Sequence, residues 1–350
     1  MNTDRHARLA RLLGERILVM DGAMGTELRR AAVTENAARG TRFGAHDVPL
    51  AGNLDLLTLT QPALVRAVHD AYLDAGADII RANTFCGDSP SQAAYGLGAL
   101  SYEINRTASR LARACADTTM TRTPDQPRFV AGVIGPSRGP IVASASEVGS
   151  GVGGGSRLGE EAAGHDDVPV QAADAYRAQV LGLIDGGVDL LLVETAVDTG
   201  NACAALTAIR SECAARRQTL PVMVSTTPAT LRRHPGGARA LVDICEAALG
   251  DAVLIFGLNC GDGSAGLADA AADVGQAAPW FASCHPSAGQ PQPNGRYPES
   301  PDDFASAVAR LARAGWLNVV GGCCGTTPDH IRALAAAIES VPPRHRGAFR

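Results

Sequence analysis

Strand-like segments with apolar centres punctuate the chain at residues 17–20, 78–81, 129–136, 188–193, 221–225, 252–256, 280–283 and 317–320. Each is short and bounded by turn residues, which reads as a buried strand. Between them, residues 62–72, 102–118, 170–184, 202–216, 238–249, 265–277, 302–314 and 329–341 space their apolar positions with the helical period. Residues 9–16 predict a short helix covering the bottom of the assembly. Strands alternating with helices predict an α/β fold, a (β/α)8 TIM barrel with its polar motifs at the C-terminal ends of the strands. One domain is expected over residues 1–350, with a core over about 9–341 and a loose tail at 342–350. Residues 31–50 read as an irregular excursion and 226–237 as a loop. The glycine-rich stretch 149–164 reads as a long loop, either a lid or a plain surface segment.

Composition narrows the chemistry. With 350 residues and 46% hydrophobic content there is material for a full barrel core. The net charge of −5 leaves no electrostatic footprint for nucleic acid. All 31 basic residues are Arg, and the absence of Lys excludes Schiff-base chemistry of the lysine type. No glycine-rich segment ends in the Gly-Lys-Ser/Thr of a phosphate loop. Residues 1–16 lack an apolar signal region, and no run of 18 apolar residues exists, so neither secretion nor membrane insertion is expected. Nine Cys, an odd number without the spacing of a secreted disulfide scaffold, fit a reducing cytoplasm.

Three of those cysteines stand apart. The run 317–320 leads into Gly321-Gly322-Cys323-Cys324-Gly325, which sets two thiols side by side in the turn before a helix that Thr326 or Thr327 can cap. Adjacent cysteines are poor partners for a disulfide with each other, and are well placed to chelate one soft metal ion. Cys260 lies after another apolar run, among glycines. Three cysteines from two strand ends would bind zinc and leave its fourth position open, the arrangement of catalytic zinc. Cys284 and His285 are ligands by type only. Cys86, Cys203 and Cys213 read as ordinary small hydrophobes. Asp21 and Glu194 each follow a strand, where a barrel carries its functional side chains, and Thr84 is in the same position after its own strand.

Gly257-Leu258-Asn259-Cys260 followed by Gly321-Gly322-Cys323-Cys324-Gly325 resembles the homocysteine S-methyltransferase family. The likeness is closest to the homocysteine-binding module of cobalamin-dependent methionine synthase. It extends from about Ile17 to Val341 through Asp21-Gly22-Ala23-Met24-Gly25-Thr26, Gly52-Asn53-Leu54-Asp55-Leu56-Leu57, Asn83-Thr84-Phe85 and Glu194-Thr195. The resemblance implies a Zn2+ held by Cys260, Cys323 and Cys324. It implies homocysteine bound and activated as a zinc thiolate, then methylated to methionine without a protein nucleophile. Asp21 and Glu194 would hold the substrate ammonium, and the turn through Gly22, Ala23 and Thr26 its carboxylate, with Thr84 and Asn259 as further contacts. Where the synthases read His-Pro-Asn-Ala-Gly, this chain has Ser287, a possible filler of the open zinc position. The donor implied is methylcobalamin on a partner protein, or a small S-methylmethionine-like molecule. The alternative is a non-catalytic or partner-dependent homocysteine-binding module that needs a separate cobalamin/folate protein for turnover.

Overall fold

The computed structural model describes residues 2–138 and 170–345, so the glycine-rich stretch 149–164 lies outside the described residues. Eight parallel strands are present: β1 (Leu18–Val19), β2 (Ile79–Arg81), β3 (Phe129–Ile134), β4 (Leu190–Val193), β5 (Val222–Thr226), β6 (Val253–Cys260), β7 (Phe281–Pro286) and β8 (Val319–Val320). They pair in the order β1-β8-β7-β6-β5-β4-β3-β2. A parallel bridge from Met20 to Ile79 brings the first and last members of that order together. The expected α/β barrel is the fold.

The period of two along each strand divides the apolar residues into two cores. Leu18, Met20, Ile79, Phe129, Val133, Leu190, Leu192, Met223, Ile255, Phe281 and Val319 pack together inside the barrel. Their neighbours Val19, Ile80, Val130, Ile134, Leu191, Val193, Val224 and Phe256 face the surrounding helices in the larger cluster. Leu9 and Leu13 join the inner core from the helix Asn2–Glu15, which closes the bottom of the barrel. Burying each such side chain contributes about 1.5–3 kcal/mol, and the inner layers hold the strand ends in fixed register. Asp78 locks the bottom rim, accepting from Val19 N–H at 2.9 Å and from Arg16 Nη2 at 2.7 Å.

Several expectations need correction. The excursion 31–50 contains a helix, Glu35–Arg39, started by the Thr34 cap. The Glu35 carboxylate also accepts from Leu50 N–H at 2.9 Å, a tertiary tie invisible to local pattern. The loop 226–237 contains the helix Pro228–Arg233, capped by Thr227. β6 and β7 continue to Cys260 and Pro286, beyond the apolar runs, because their polar ends still pair in the sheet. The tail is not loose as far as it is described. Arg344 is buried, and its guanidinium donates to the carbonyls of Trp280, Gly275 and Ala278 at 2.7, 2.6 and 3.1 Å. Among the described residues, no helix is long and apolar enough to cross a membrane.

Candidate active site and metal centre

The strand period carries the inner face upward into the site. Two residues beyond Ile79 is Arg81, two beyond Leu192 is Glu194, two beyond Met223 is Ser225, and four beyond Phe281 is His285; all are buried. Four beyond Ile255 is Asn259, whose amide donates to Thr195 Oγ1 at 2.7 Å while its oxygen accepts from Ser225 Oγ at 3.0 Å. By parity Cys260 would face the outer helices with Leu258. Its φ of 58° is left-handed, a conformation rare outside glycine and often found where function demands it. That turn brings its thiol to the site, 2.9 Å from the Cys323 Sγ.

The β8 turn reaches the same point from the other side. Cys323 and Cys324 hold their sulfurs 4.0 Å apart, and the three thiols all lie within 4.8 Å of one another. They form the one group of three or more potential metal-binding side chains found among the described residues. Cys284 and His285 are not members. Cys284 is packed in the outer core, where burial pushes its thiol up to about 12. His285 sits with its Nε2 3.5 Å from Glu194 Oε1.

The turn is clamped to its neighbours. Thr326 Oγ1 accepts from Ala23 N–H at 3.2 Å and donates to the Cys323 carbonyl at 2.7 Å, while Thr26 Oγ1 accepts from Gly325 N–H at 3.1 Å. The close approach of the β1 and β8 turns requires glycine at position 22. A Cβ there would stand 2.7 Å from both Thr326 Oγ1 and the Tyr72 ring.

Three soft donors with no carboxylate among them suit zinc. Zinc–sulfur bonds of about 2.3 Å in a tetrahedron put sulfurs about 3.8 Å apart. The Cys323–Cys324 separation of 4.0 Å is close to this, and the Cys260–Cys323 pair at 2.9 Å would have to part to admit the ion. Hydrogen bonds from Cys260 and Cys323 hold the Cys324 thiol well below the ordinary range, against burial. Its bonds to Cys260 and Cys324, with burial added, push the Cys323 thiol up. The donor set thus stabilises a thiolate through its own members, and the residues fit the metal.

A cavity of about 270 Å³ opens beside the thiols, its wall including Gly22, Ala23, Thr26, Thr84, Phe85 and Glu194 as well as the three cysteines. Among the described residues, the expected contacts Asp21, Asn259 and Ser287 do not form part of that wall. Thr84 is on the wall, with its hydroxyl committed to the Val133 carbonyl at 2.8 Å. Ser287 is buried and donates its N–H to the Cys260 carbonyl at 3.3 Å.

Sequence reasoning missed Arg81, Asp55, Arg29 and Arg138, all on the cavity wall. For Arg81 a signal existed: a lone cation directly after Ile79-Ile80, at the end of a barrel strand. Burial opposes the charge on Glu194, but the attraction of Arg81 and then the His285 contact outweigh it and bring this carboxyl down to about 2. Asp21 is raised to about 6 by burial, against the pull of Arg81. Burial also lifts Asp55 to about 7.

A family model described as homocysteine S-methyltransferase matches residues 18–338. Among solved structures, the chain is similar to the homocysteine methyltransferase MmuM from Escherichia coli. Against its metallated form the TM-score is 0.66 at 23% identity, covering 92% of this chain and 96% of that one. Its oxidized form gives 0.66 at 23% identity, with coverage of 91% and 95%. Its apo form gives 0.60 at 23% identity, with coverage of 92% and 96%. At this identity the likeness shows the barrel fold.

Proposed function

We propose, for a chain that belongs to the homocysteine S-methyltransferase family, that the cavity binds homocysteine with its sulfur at the three cysteines and that the protein transfers a methyl group to that sulfur, forming methionine. The observation that carries the reading is the convergence of Cys260, Cys323 and Cys324 within 4.8 Å on the wall of a cavity that also exposes Glu194.

Free thiols ionise near pH 8.5 and are mostly protonated at neutral pH. Zinc, when bound, supplies the positive charge that removes the acceptor thiol's proton at neutral pH. Three cysteinates leave that centre with an excess of negative charge, which keeps the acceptor sulfur electron-rich. Glu194, ionised at neutral pH, takes the substrate ammonium. The helix Met24–Arg30 starts at Ala23 without a side-chain cap. The Ala23 N–H is taken by Thr326, and the N–H groups of Met24, Gly25 and Thr26 in the first helical turn are offered to the substrate carboxylate. Held at both ends, the amino acid presents its sulfur in one orientation. The new bond forms between sulfur and the methyl carbon. The bond from that carbon to the donor breaks, and its electron pair leaves with the donor. No protein nucleophile takes part.

The donor is proposed as methylcobalamin carried by a partner protein or as a small sulfonium such as S-methylmethionine. The test is methionine formation from L-homocysteine by the zinc-loaded protein with methylcobalamin, S-methylmethionine, betaine and S-adenosylmethionine in turn. Product with one donor supports the reading and names that donor. Absence of both product and homocysteine binding overturns it. Binding without product would favour the partner-dependent module.

A further inference from the structure

The reaction as proposed gives no role to Arg81, a buried cation on the cavity wall. Arg81 is 6% exposed and lines the cavity. Its Nε donates to Asp21 Oδ1 at 2.8 Å and its backbone N–H to Asp21 Oδ2 at 2.9 Å. Nη2 donates to the carbonyls of Asp21, Gly22 and Gly322 at 3.0, 2.7 and 2.6 Å. Nη1 donates to Glu194 Oε1 at 2.5 Å. One guanidinium, on the last residue of β2, therefore ties together the ends of β1, β4 and β8, and the β8 tie falls on the residue before Cys323.

Asp21 is the residue this arrangement changes most. It is fully buried, both its oxygens are taken by Arg81, and it is not on the cavity wall. An ammonium entering the cavity meets Glu194 and does not meet Asp21. A buried guanidinium needs anionic partners to offset its desolvation, and its planar fork is suited to join several acceptors at once, where an ammonium cannot. We infer that Arg81 is a positioning residue that holds Glu194 and the Gly322–Cys323 turn in place, and that Asp21 acts on the substrate only through Arg81. This rests on the homocysteine reading above.

The test compares zinc-loaded wild type with Asp21→Asn, Glu194→Gln, Arg81→Lys and the Asp21→Asn/Arg81→Lys double variant, well below their melting temperatures. Zinc affinity is read by chelator competition. Calorimetry reads the affinity for homocysteine and for 4-mercaptobutyrate, the same thiol without its ammonium. Glu194→Gln is expected to weaken homocysteine about tenfold and leave 4-mercaptobutyrate within threefold. Asp21→Asn is expected to weaken both thiols alike, and to weaken zinc about tenfold. Its effect should shrink below threefold in the Arg81→Lys background. A role confined to stability would lower the melting temperature and leave these affinities unchanged, and that result overturns the inference. So does loss of homocysteine alone in Asp21→Asn, with 4-mercaptobutyrate and zinc retained, because Asp21 would then read the ammonium itself. Should Arg81→Lys fail to fold, Asp21→Asn decides by its effect on the two thiols. If wild type binds neither thiol, the homocysteine reading has failed separately. Zinc affinity in Asp21→Asn then decides, about tenfold weaker supporting the role of Arg81 and an unchanged value overturning it.

Discussion

Asn259 and Thr195 face each other across the top of the barrel and exchange two hydrogen bonds, Asn259 Nδ2 to Thr195 Oγ1 at 2.7 Å and Thr195 N–H to Asn259 Oδ1 at 3.2 Å. Both Thr195 and Cys260, the residue after Asn259, have left-handed backbones with φ of 63° and 58°. The amide braces these two strained turns, and it also donates to the Cys260 sulfur at 3.3 Å. Asn259→Ala strands the buried Ser225 hydroxyl and half-buried polar groups of Thr195, at a cost of about 1–3 kcal/mol. The expected result is a lowered melting temperature together with weaker zinc retention, read by thermal denaturation and chelator competition. Unchanged zinc retention would show that the Cys260 turn holds without this brace.

Cysteine substitutions should separate the three clustered thiols from the rest. Cys323→Ser and Cys324→Ser are each expected to lose zinc and methyl transfer together. Cys203→Ser should lose neither, since Cys203 is half-buried against the outer core on the helix Thr199–Ala215. Metal content measured beside activity checks this. Full activity in a zinc-free Cys323→Ser protein would end the mechanism proposed here.

His69 should make the fold sensitive to acid. It is fully buried, and neither ring nitrogen has a hydrogen-bond partner in the described structure. Burial, and secondarily Arg66, bring its pKa from 6.5 down to about 4. Between these values the unfolded chain binds a proton that the folded chain does not, so stability falls as the pH falls from 6.5 to 4. The loss amounts to about 3 kcal/mol at the usual conversion per pH unit. His69→Leu removes this contribution. Urea unfolding at pH 7 and pH 4.5 should show a smaller difference for the variant than for wild type, and equal differences would refute the assignment.

Arg344 should matter to stability and not to chemistry. Its side chain satisfies three carbonyls and its own carbonyl accepts from Asn318 Nδ2 at 2.8 Å. Arg344→Ala exposes or orphans the carbonyls of Trp280, Gly275 and Ala278, an expected loss of about 2–4 kcal/mol. Homocysteine affinity of the folded fraction should stay within twofold. A melting temperature equal to that of wild type would show the C-terminal segment to be dispensable.

The barrel was legible in the chain because its signal is local. Runs such as Val188 to Val193 and the helical spacing of Pro62 to Tyr72 depend on period and composition alone, and chain order was enough to place Cys260, Cys323 and Glu194 at strand ends. Where a strand continued through polar residues, as from Cys284 to Pro286, local hydrophobicity stopped short of the pairing. The role of Arg344 was hidden for a similar reason, since the carbonyls its guanidinium binds lie more than 60 residues away in sequence.

By itself the sequence determined the strand–helix alternation, the family motifs and the three thiols, because each is written in neighbouring residues. Only the tertiary structure decided which of the polar residues at the strand ends face the cavity. That outcome depends on how the inner faces of separate strands meet: Ile79 and Leu192 belong to one interior cluster, and the guanidinium of Arg81, two residues after Ile79, reaches across to Glu194, two residues after Leu192. Asp21, a substrate contact by motif, became the partner of that arginine, because a buried guanidinium takes the nearest carboxylates and strand packing placed Asp21 within its reach.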